Sequence, residues 1–224
     1  MYRLLTITID INMKKLFFSL LALTLFVTAC KTDKKTENSE NLASEVMVEQ
    51  DVLANATHKI DAATSTVSWK GFKPGGSHHG LVPVKDGGVV FKDGQLQKGE
   101  FVFQMSGLTV EDLQDDEEMH GKLTAHLNAA DFFDTANHPT ATYTFSSVED
   151  GKLMGNLTVK GLSKPVAIPV NVSEANGVVR IQAEPFKIDR TDYDIKYKSK
   201  KFFDNLKDKF INDEFEISFD VMLK

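Results

Sequence analysis

From Lys59 onward, apolar and polar residues alternate with a period of two, the pattern of strands with one dry and one wet face. Phe101, Phe103 and Met105 alternate with Val102 and Gln104. Leu153, Gly155, Leu157 and Val159 alternate with Met154, Asn156, Thr158 and Lys160. Val166, Ile168, Val170 and Val172 alternate with Ala167, Pro169 and Asn171. Phe215, Ile217, Phe219, Val221 and Leu223 alternate with Glu216, Ser218 and Asp220. Asp86-Gly87, Asp93-Gly94, Asp150-Gly151 and Asn176-Gly177 punctuate these runs, and such pairs accept the positive φ of tight hairpin turns. One run changes phase: Val179, Ile181 and Ala183 share a parity that Phe186 and Ile188 do not, with Pro185 at the switch. A bulge or bend is predicted there, because proline cannot donate to a ladder. Pro169 likewise predicts an edge or a locally open ladder. About eight segments of this kind predict an all-β fold: an antiparallel meander closed into a barrel, or a sandwich. Periodicity leaves open whether the interior is filled or hollow.

Two stretches break the rhythm and predict short helices or turns laid against the barrel ends. One runs from the acidic "EDLQDDEEMHGKL" through Leu123, Leu127, Phe132 and Phe133. The other, "SKKFFDNLKDKF", puts Phe202, Phe203, Leu206 and Phe210 at helical spacing.

The N-terminus reads differently. Met13-Lys14-Lys15 precedes an uncharged apolar run, Leu16 to Val27. That run is shorter than the roughly 20 residues of a membrane span. Val27-Thr28-Ala29-Cys30 follows, and Cys30 is the sole cysteine. Small residues before a lone cysteine resemble the lipobox of bacterial lipoproteins. The expected organisation is a signal peptide over 1–29 with its true start at Met13, then a lipidated Cys30 with a flexible tether to residue 57, then one domain over 58–224. The expected location is the bacterial cell envelope, anchored through acylated Cys30, with the outer membrane favoured because no Asp follows the cysteine. Removing residues 1–29 takes away Arg3, Lys14, Lys15 and Asp10 and moves the formal charge from −6 to −8. That balance argues against nucleic acid, whose binding needs lysine and arginine against phosphate.

Catalytic signatures are absent. There is no GxSxG, HExxH or Walker loop. Lys73-Pro74-Gly75-Gly76-Ser77 lacks the rest of a phosphate cradle and reads as a loop between two strands. His78, His79, His120, His126 and His138 are spaced poorly for one metal ion, so no metal or other cofactor is expected. Asp115-Asp116-Glu117-Glu118 lacks the alternation of an EF-hand loop and reads as a solvated face. Asp189, Asp192 and Asp194 around Arg190 and Tyr193 read as a strand-end turn with an ion pair.

Several stretches resemble successive motifs of the YceI-like family: "HLNAADFFDTANHPTATYTFSSV", "GNLTVKGLSKPVAIPVNV", "FKIDRTDYDIKY" and "DEFEISFDVML", with "HKIDAATSTVSWKG" similar to its opening strand. The resemblance spans about His58 to Leu223. It implies a lipocalin-like antiparallel barrel whose interior holds an isoprenoid or other long-chain lipid, and therefore a carrier, reservoir or sensor rather than an enzyme. On this reading Phe101, Phe103, Tyr143, Phe145, Leu157 and Ile168 form ligand-binding walls, and Leu123, Leu127, Phe132 and Phe133 cover the mouth. A filled structural barrel, in which those four residues are a plug, remains the alternative, and a homodimer remains open. The chain departs from the family where many members carry His-Ser in the first strand, since Thr64-Ser65-Thr66 stands here, and where many carry Arg-Asp before the HL motif, since Gly121-Lys122 stands here. The apolar lining therefore carries over better than any headgroup contact.

Overall fold

The computed structural model describes residues 52–224. The expected signal peptide, Cys30 and most of the expected tether lie outside the described residues. Among the described residues, eleven strands fall into two antiparallel sheets. The first has the order β1 (His58–Lys59), β4 (Val84–Lys92), β5 (Gln95–Gln104), β6 (Thr140–Glu149), β7 (Lys152–Val159), β8 (Leu162–Pro169). The second has the order β3 (Gly76–Leu81), β2 (Thr66–Lys73), β11 (Glu214–Leu223), β10 (Val178–Asp189), β9 (Asn171–Ala175). Helix α1 (Glu117–Asn128) is the principal helix among the described residues.

The two sheets are faces of one meander. The chain passes from β1 to β2 through a turn over residues 60–65, from β3 to β4 at Val82-Pro83, and from β8 to β9 at Val170, each time leaving one sheet for the other. Counting each of these bent runs once gives eight, each paired with the next. The circuit returns through the β11–β2 ladder and an Ile60–Leu223 bridge. The ladders break at the corners, which is why two sheets form rather than one seamless cylinder. Pro169 sits at such a corner, where its missing N–H costs no ladder bond, and Val170 donates instead to the Gly151 carbonyl. The run loosens beyond it: β9 is exposed throughout, Val172 included.

The turn chemistry explains the register. Asp93-Gly94, Asp150-Gly151 and Asn176-Gly177 all have positive φ and form two-residue hairpins. Lys160-Gly161 does the same without an Asn or Asp to announce it. Asp86-Gly87, expected as a turn, is instead a register shift inside β4, where Gly87 lets the Glu100 carbonyl approach within 2.6 Å of where a Cβ would stand. The expected irregularity at Pro185 is a register shift between Ala183 and Phe186 against β11. It rotates the strand so that Ile181 and Ile188, on opposite parities, are both buried.

The three Asn/Asp-Gly hairpins sit at one end of the barrel. The two long connections, residues 105–139 and 190–213, sit at the other. The hairpin end is filled by Val89, Phe145, Leu153, Ile181, Val221 and Leu223, each no more than 1% exposed. Gly99 makes this packing possible: a Cβ there would stand 2.5 Å from the Phe145 ring and 2.7 Å from Val89. The described residues include structure ahead of His58. Residues 52–54 are helical, Val52 is buried, and Thr57 bonds to Val89 and Phe91.

The acidic run has a local role. Asp116 caps α1 by accepting from the Met119 amide at 3.0 Å, and Glu117 and Glu118 occupy the first turn, where the helix dipole favours negative charge. Of the helix or turn expected for the second stretch, the structure forms turns. Among residues 199–210 only Lys207–Lys209 makes a 3-10 turn, and Phe202 and Phe203 face solvent rather than the barrel.

Candidate functional site: an apolar cavity under two connections

The long-connection end of the barrel is hollow. A cavity of ≈ 170 Å³ lies there, where a single water needs only about 10–15 Å³. Phe101, Phe103, Leu123, Leu127, Phe132, Phe133, Tyr143, Leu157 and Ile168 all line it. Phe145 does not. It shares the inward parity of Tyr143 but lies one step deeper, where its ring fills the space left by Gly99 and packs 5.9 Å from Phe101. Pattern alone gives the face of a strand and not the depth along it.

Several wall residues were not singled out from sequence. Phe215, Ile217 and Phe219 of β11, Phe186 and Ile188 of β10, and Trp69 of β2 complete the lining. The alternation of β11 exposed the first three as inward-facing. Val221 and Leu223 share that parity and lie in the filled half.

The cover is built from α1 and the turns after it. Leu127 and Phe132 are buried, and Phe132 meets Phe133 edge-on at 5.0 Å. The Phe133 amide donates to the Leu127 carbonyl and the Thr135 amide to the Asn128 carbonyl, folding the FFD turn back against the helix end. Asp134, at φ 48°, accepts from the Asn137 side chain. Lys160, in the tight β7–β8 turn, ties Ala130 down through its carbonyl at 3.2 Å.

The second connection closes on Arg190, which is 3% exposed. Its guanidinium donates to the carbonyls of Asn212 (3.0 Å), Ile195 (2.6 Å) and Ile211 (3.0 Å), and to Asp213 Oδ1 (3.3 Å). The expected ion pair with the neighbouring aspartates is therefore replaced. Asp189 caps the turn through the Thr191 amide and pairs with Lys201, while Asp194 pairs with Lys196. Burial lowers the pKa of Arg190, with Asp213 and Asp189 opposing that shift. Its donors point mainly at backbone, so it staples the two ends of the connection together.

Polar groups collect at the rim. Lys73 and His78 Nε2 are 2.8 Å apart, and His78 Nδ1 is 2.7 Å from Asp112 Oδ2. The lysine donates, so Nε2 accepts and Nδ1–H donates to the carboxylate. Partial burial would raise the Asp112 pKa, but the His79 amide and the His78 ring outweigh it and hold it below the usual carboxylate value. His126 lines the cavity from the lid, its ring 4.3 Å from Tyr197 of the second connection. Its Nε2 is buried with no hydrogen-bond partner. His120 instead contacts the Val110 carbonyl at 3.2 Å, and His138 lies 3.9 Å from Asp134. Tyr143 lines the wall with its hydroxyl held at the Leu153 and Val166 carbonyls, and burial raises its pKa so that it stays protonated. The departures from the family pattern lie off the cavity wall: Ser65 Oγ accepts from the Met222 amide at a corner, and Lys122 pairs with Glu118 on α1.

Known proteins share this architecture. The structure resembles BcnA from Burkholderia cenocepacia with a TM-score of 0.58 at 20% identity, covering 73% of this chain and 98% of that one. It resembles a polyisoprenoid binding domain from Saccharophagus degradans with a TM-score of 0.59 at 14% identity, covering 76% and 99%. At these identities the likeness is one of fold. In sequence, Protein YceI of Escherichia coli O17:K52:H18 is 42% identical over 53 residues, which is 22% of this chain and 28% of that protein. A UPF0312 protein of Shewanella baltica is 43% identical over 54 residues, again 28% of its length. The matched stretch thus spans little more than a quarter of these relatives. The model of the YceI-like domain matches residues 58–223, nearly the whole barrel, and the chain belongs to that family.

Proposed function

We propose that the barrel holds the chain of an isoprenoid or similar long apolar amphiphile, as a carrier, reservoir or sensor tethered to a bacterial membrane through acylated Cys30. The observation that carries this reading is the cavity: nine side chains nominated from the sequence, together with those of β2, β10 and β11, surround an apolar space rather than filling it. The polyisoprenoid-binding neighbour with the same fold supports the ligand class. The position of the polar groups agrees with an amphiphile. Carbon lines the depth, while Lys73, His78 and Asn212 lie at the rim and His126 Nε2 offers one unmatched polar atom under the lid.

Burying hydrocarbon from water is worth about 0.8 kcal/mol per CH₂, hence roughly 4 kcal/mol per five-carbon isoprene unit. The competing solvent is the bilayer, where the chain is already dry, so fit and rim contacts decide the net preference and the ligand exchanges with membranes. The cavity of ≈ 170 Å³ is smaller than the roughly 300–1,000 Å³ of drug-sized sites. A chain of several units therefore needs the cover of Leu123, Leu127, Phe132 and Phe133 to move outward.

Native mass spectrometry with lipid extraction tests the reading on wild type and on Phe132→Asp/Phe133→Asp. The wild type is expected to carry lipid and the double variant to lose it. A wild type that is reproducibly empty and refuses added prenyl lipid leaves the filled-barrel alternative. Equal occupancy in the variant keeps the carrier and removes the lid.

A further inference from the structure

The stretch 196–210 stands apart from the rest of the chain. The whole protein has a formal charge of −6, yet this segment holds Lys196, Lys198, Lys200, Lys201, Lys207 and Lys209 against Asp204 and Asp208, a local balance of +4. Between the lysines, Phe202 and Phe203 are each 49% exposed, among the most exposed large apolar side chains of the described residues. They do not hang on a loose loop. Ser199 is fully buried, its carbonyl accepts from the amides of both phenylalanines, and its hydroxyl accepts from the Lys201 amide. The Ile211 amide returns to the Lys198 carbonyl, and Arg190 clamps the base. The phenylalanine pair is thus held outward by a built turn.

Its place in the barrel matters equally. Ile211 and Asn212, at the base of the loop, line the cavity mouth, and Tyr197 packs against His126 of the lid. Lysine ammonium groups sit over aromatic rings, Lys196 Nζ 5.1 Å from the Phe202 centroid and Lys200 Nζ 3.5 Å from that of Phe210. Lys196 and Lys201 also have carboxylate partners, while Lys198, Lys200, Lys207 and Lys209 have no ion pair among the described residues. Exposed aromatics ringed by unpaired lysines match a surface that is apolar a few ångströms below and anionic on top.

We propose that the 196–210 loop docks the barrel, mouth first, onto an anionic bilayer surface, with Phe202 and Phe203 entering the headgroup–acyl boundary and the lysines facing lipid phosphates. The proposal rests on the lipid-carrier reading: it supplies the contact through which a chain could pass between membrane and cavity without crossing water. A lipid tether at Cys30 would not orient the barrel by itself. The 21 residues between Cys30 and Val52 reach roughly 70 Å fully extended, against about 33 Å for a ten-residue strand.

The test uses the full chain carrying Cys30→Ser, which cannot be acylated and has no remaining cysteine. A single cysteine is then introduced at Asp204→Cys, beside the phenylalanines, or at Asn176→Cys in the opposite hairpin, and labelled with an environment-sensitive fluorophore. Vesicles of phosphatidylcholine with phosphatidylglycerol are expected to shift the emission at residue 204 and not at 176, and high salt should reverse the shift. Removing two charges with Lys200→Gln/Lys209→Gln should weaken vesicle binding read at 204 about 25-fold, at roughly fivefold per lysine. Phe202→Ser/Phe203→Ser should abolish the shift while leaving the circular dichroism spectrum unchanged. No response at 204, an equal response at 176, or a response that survives loss of both phenylalanines overturns the proposal. A soluble polyanion such as heparin that reproduces the full shift would assign the loop to another partner and overturn it too. The label reports docking without any ligand in the cavity, so its failure is distinct from an empty barrel in mass spectrometry.

Discussion

Replacing Arg190 by Met asks how much of the mouth depends on one side chain. The guanidinium makes four hydrogen bonds, three of them to carbonyls, one at residue 195 near the start of the connection and two at residues 211 and 212 near its end. Hydrogen bonds to a charged group contribute about 1.5–3 kcal/mol each. A simple sum would overshoot, because keeping a guanidinium at 3% exposure costs several kcal/mol in lost hydration. Breaking a buried charge cluster by removing one partner typically costs about 3–5 kcal/mol. Asp213 retains 16% exposure and can turn to water, which places this case at the lower end, at about 3–4 kcal/mol. For a domain of this size each kcal/mol moves the midpoint by about 2–4 °C, so Arg190→Met should lower Tm by roughly 6–16 °C. Far-ultraviolet circular dichroism measures the shift. Hydrogen exchange locates it: the Ile195 and Ile211 amides should lose protection while the hairpin-end amides of β7 and β10 keep theirs. Arg190→Lys should recover only a small part, since an ammonium cannot reach three carbonyls with fixed fork geometry. An Arg190→Met protein within about 1 kcal/mol of wild type, with exchange unchanged across the connection, would refute the staple.

Three further outcomes are expected. Gly99→Ala should destabilise by about 1–3 kcal/mol through overpacking against Phe145 and Val89, and Phe145→Leu in the same chain should recover much of the loss; a neutral Gly99→Ala in chemical denaturation would show that the filled end has slack. The folded Asp112 pKa is depressed, so its contribution is present above the unfolded value of about 4 and is lost as pH falls through the folded value; Asp112→Asn should be less stable than wild type at pH 6, and the gap should close in melts at lower pH. Cys30→Ser should leave the membrane fraction and change mobility in gels, whereas retention with unchanged mobility would argue against acylation.

Most of the strand architecture was legible in the sequence because it rests on local rules. Alternation assigned the faces of β5, β7 and β11, the Asn/Asp-Gly pairs marked three hairpins, and the parity switch at Pro185 announced a bulge. Each of these depends on neighbours within a few residues. Asp86-Gly87 shows the limit: the same dipeptide that makes a turn elsewhere makes a bulge here, because β4 continues along β5 past it. Phe145 shows a second limit. Its parity points it inward, but whether an inward residue fills the barrel or lines a space depends on its neighbours on the adjoining strands, here Gly99, paired with it on β5 and 46 residues away in the chain. The 199–210 stretch shows a third. Helical spacing of its aromatics suggested a buried face, yet Arg190 closes the loop at its base and leaves Phe202 and Phe203 outside. Local alternation says which residues can be dry; which of them meet each other, which meet a cavity and which meet solvent is set by contacts between residues distant in the chain, and those exist only in the folded barrel.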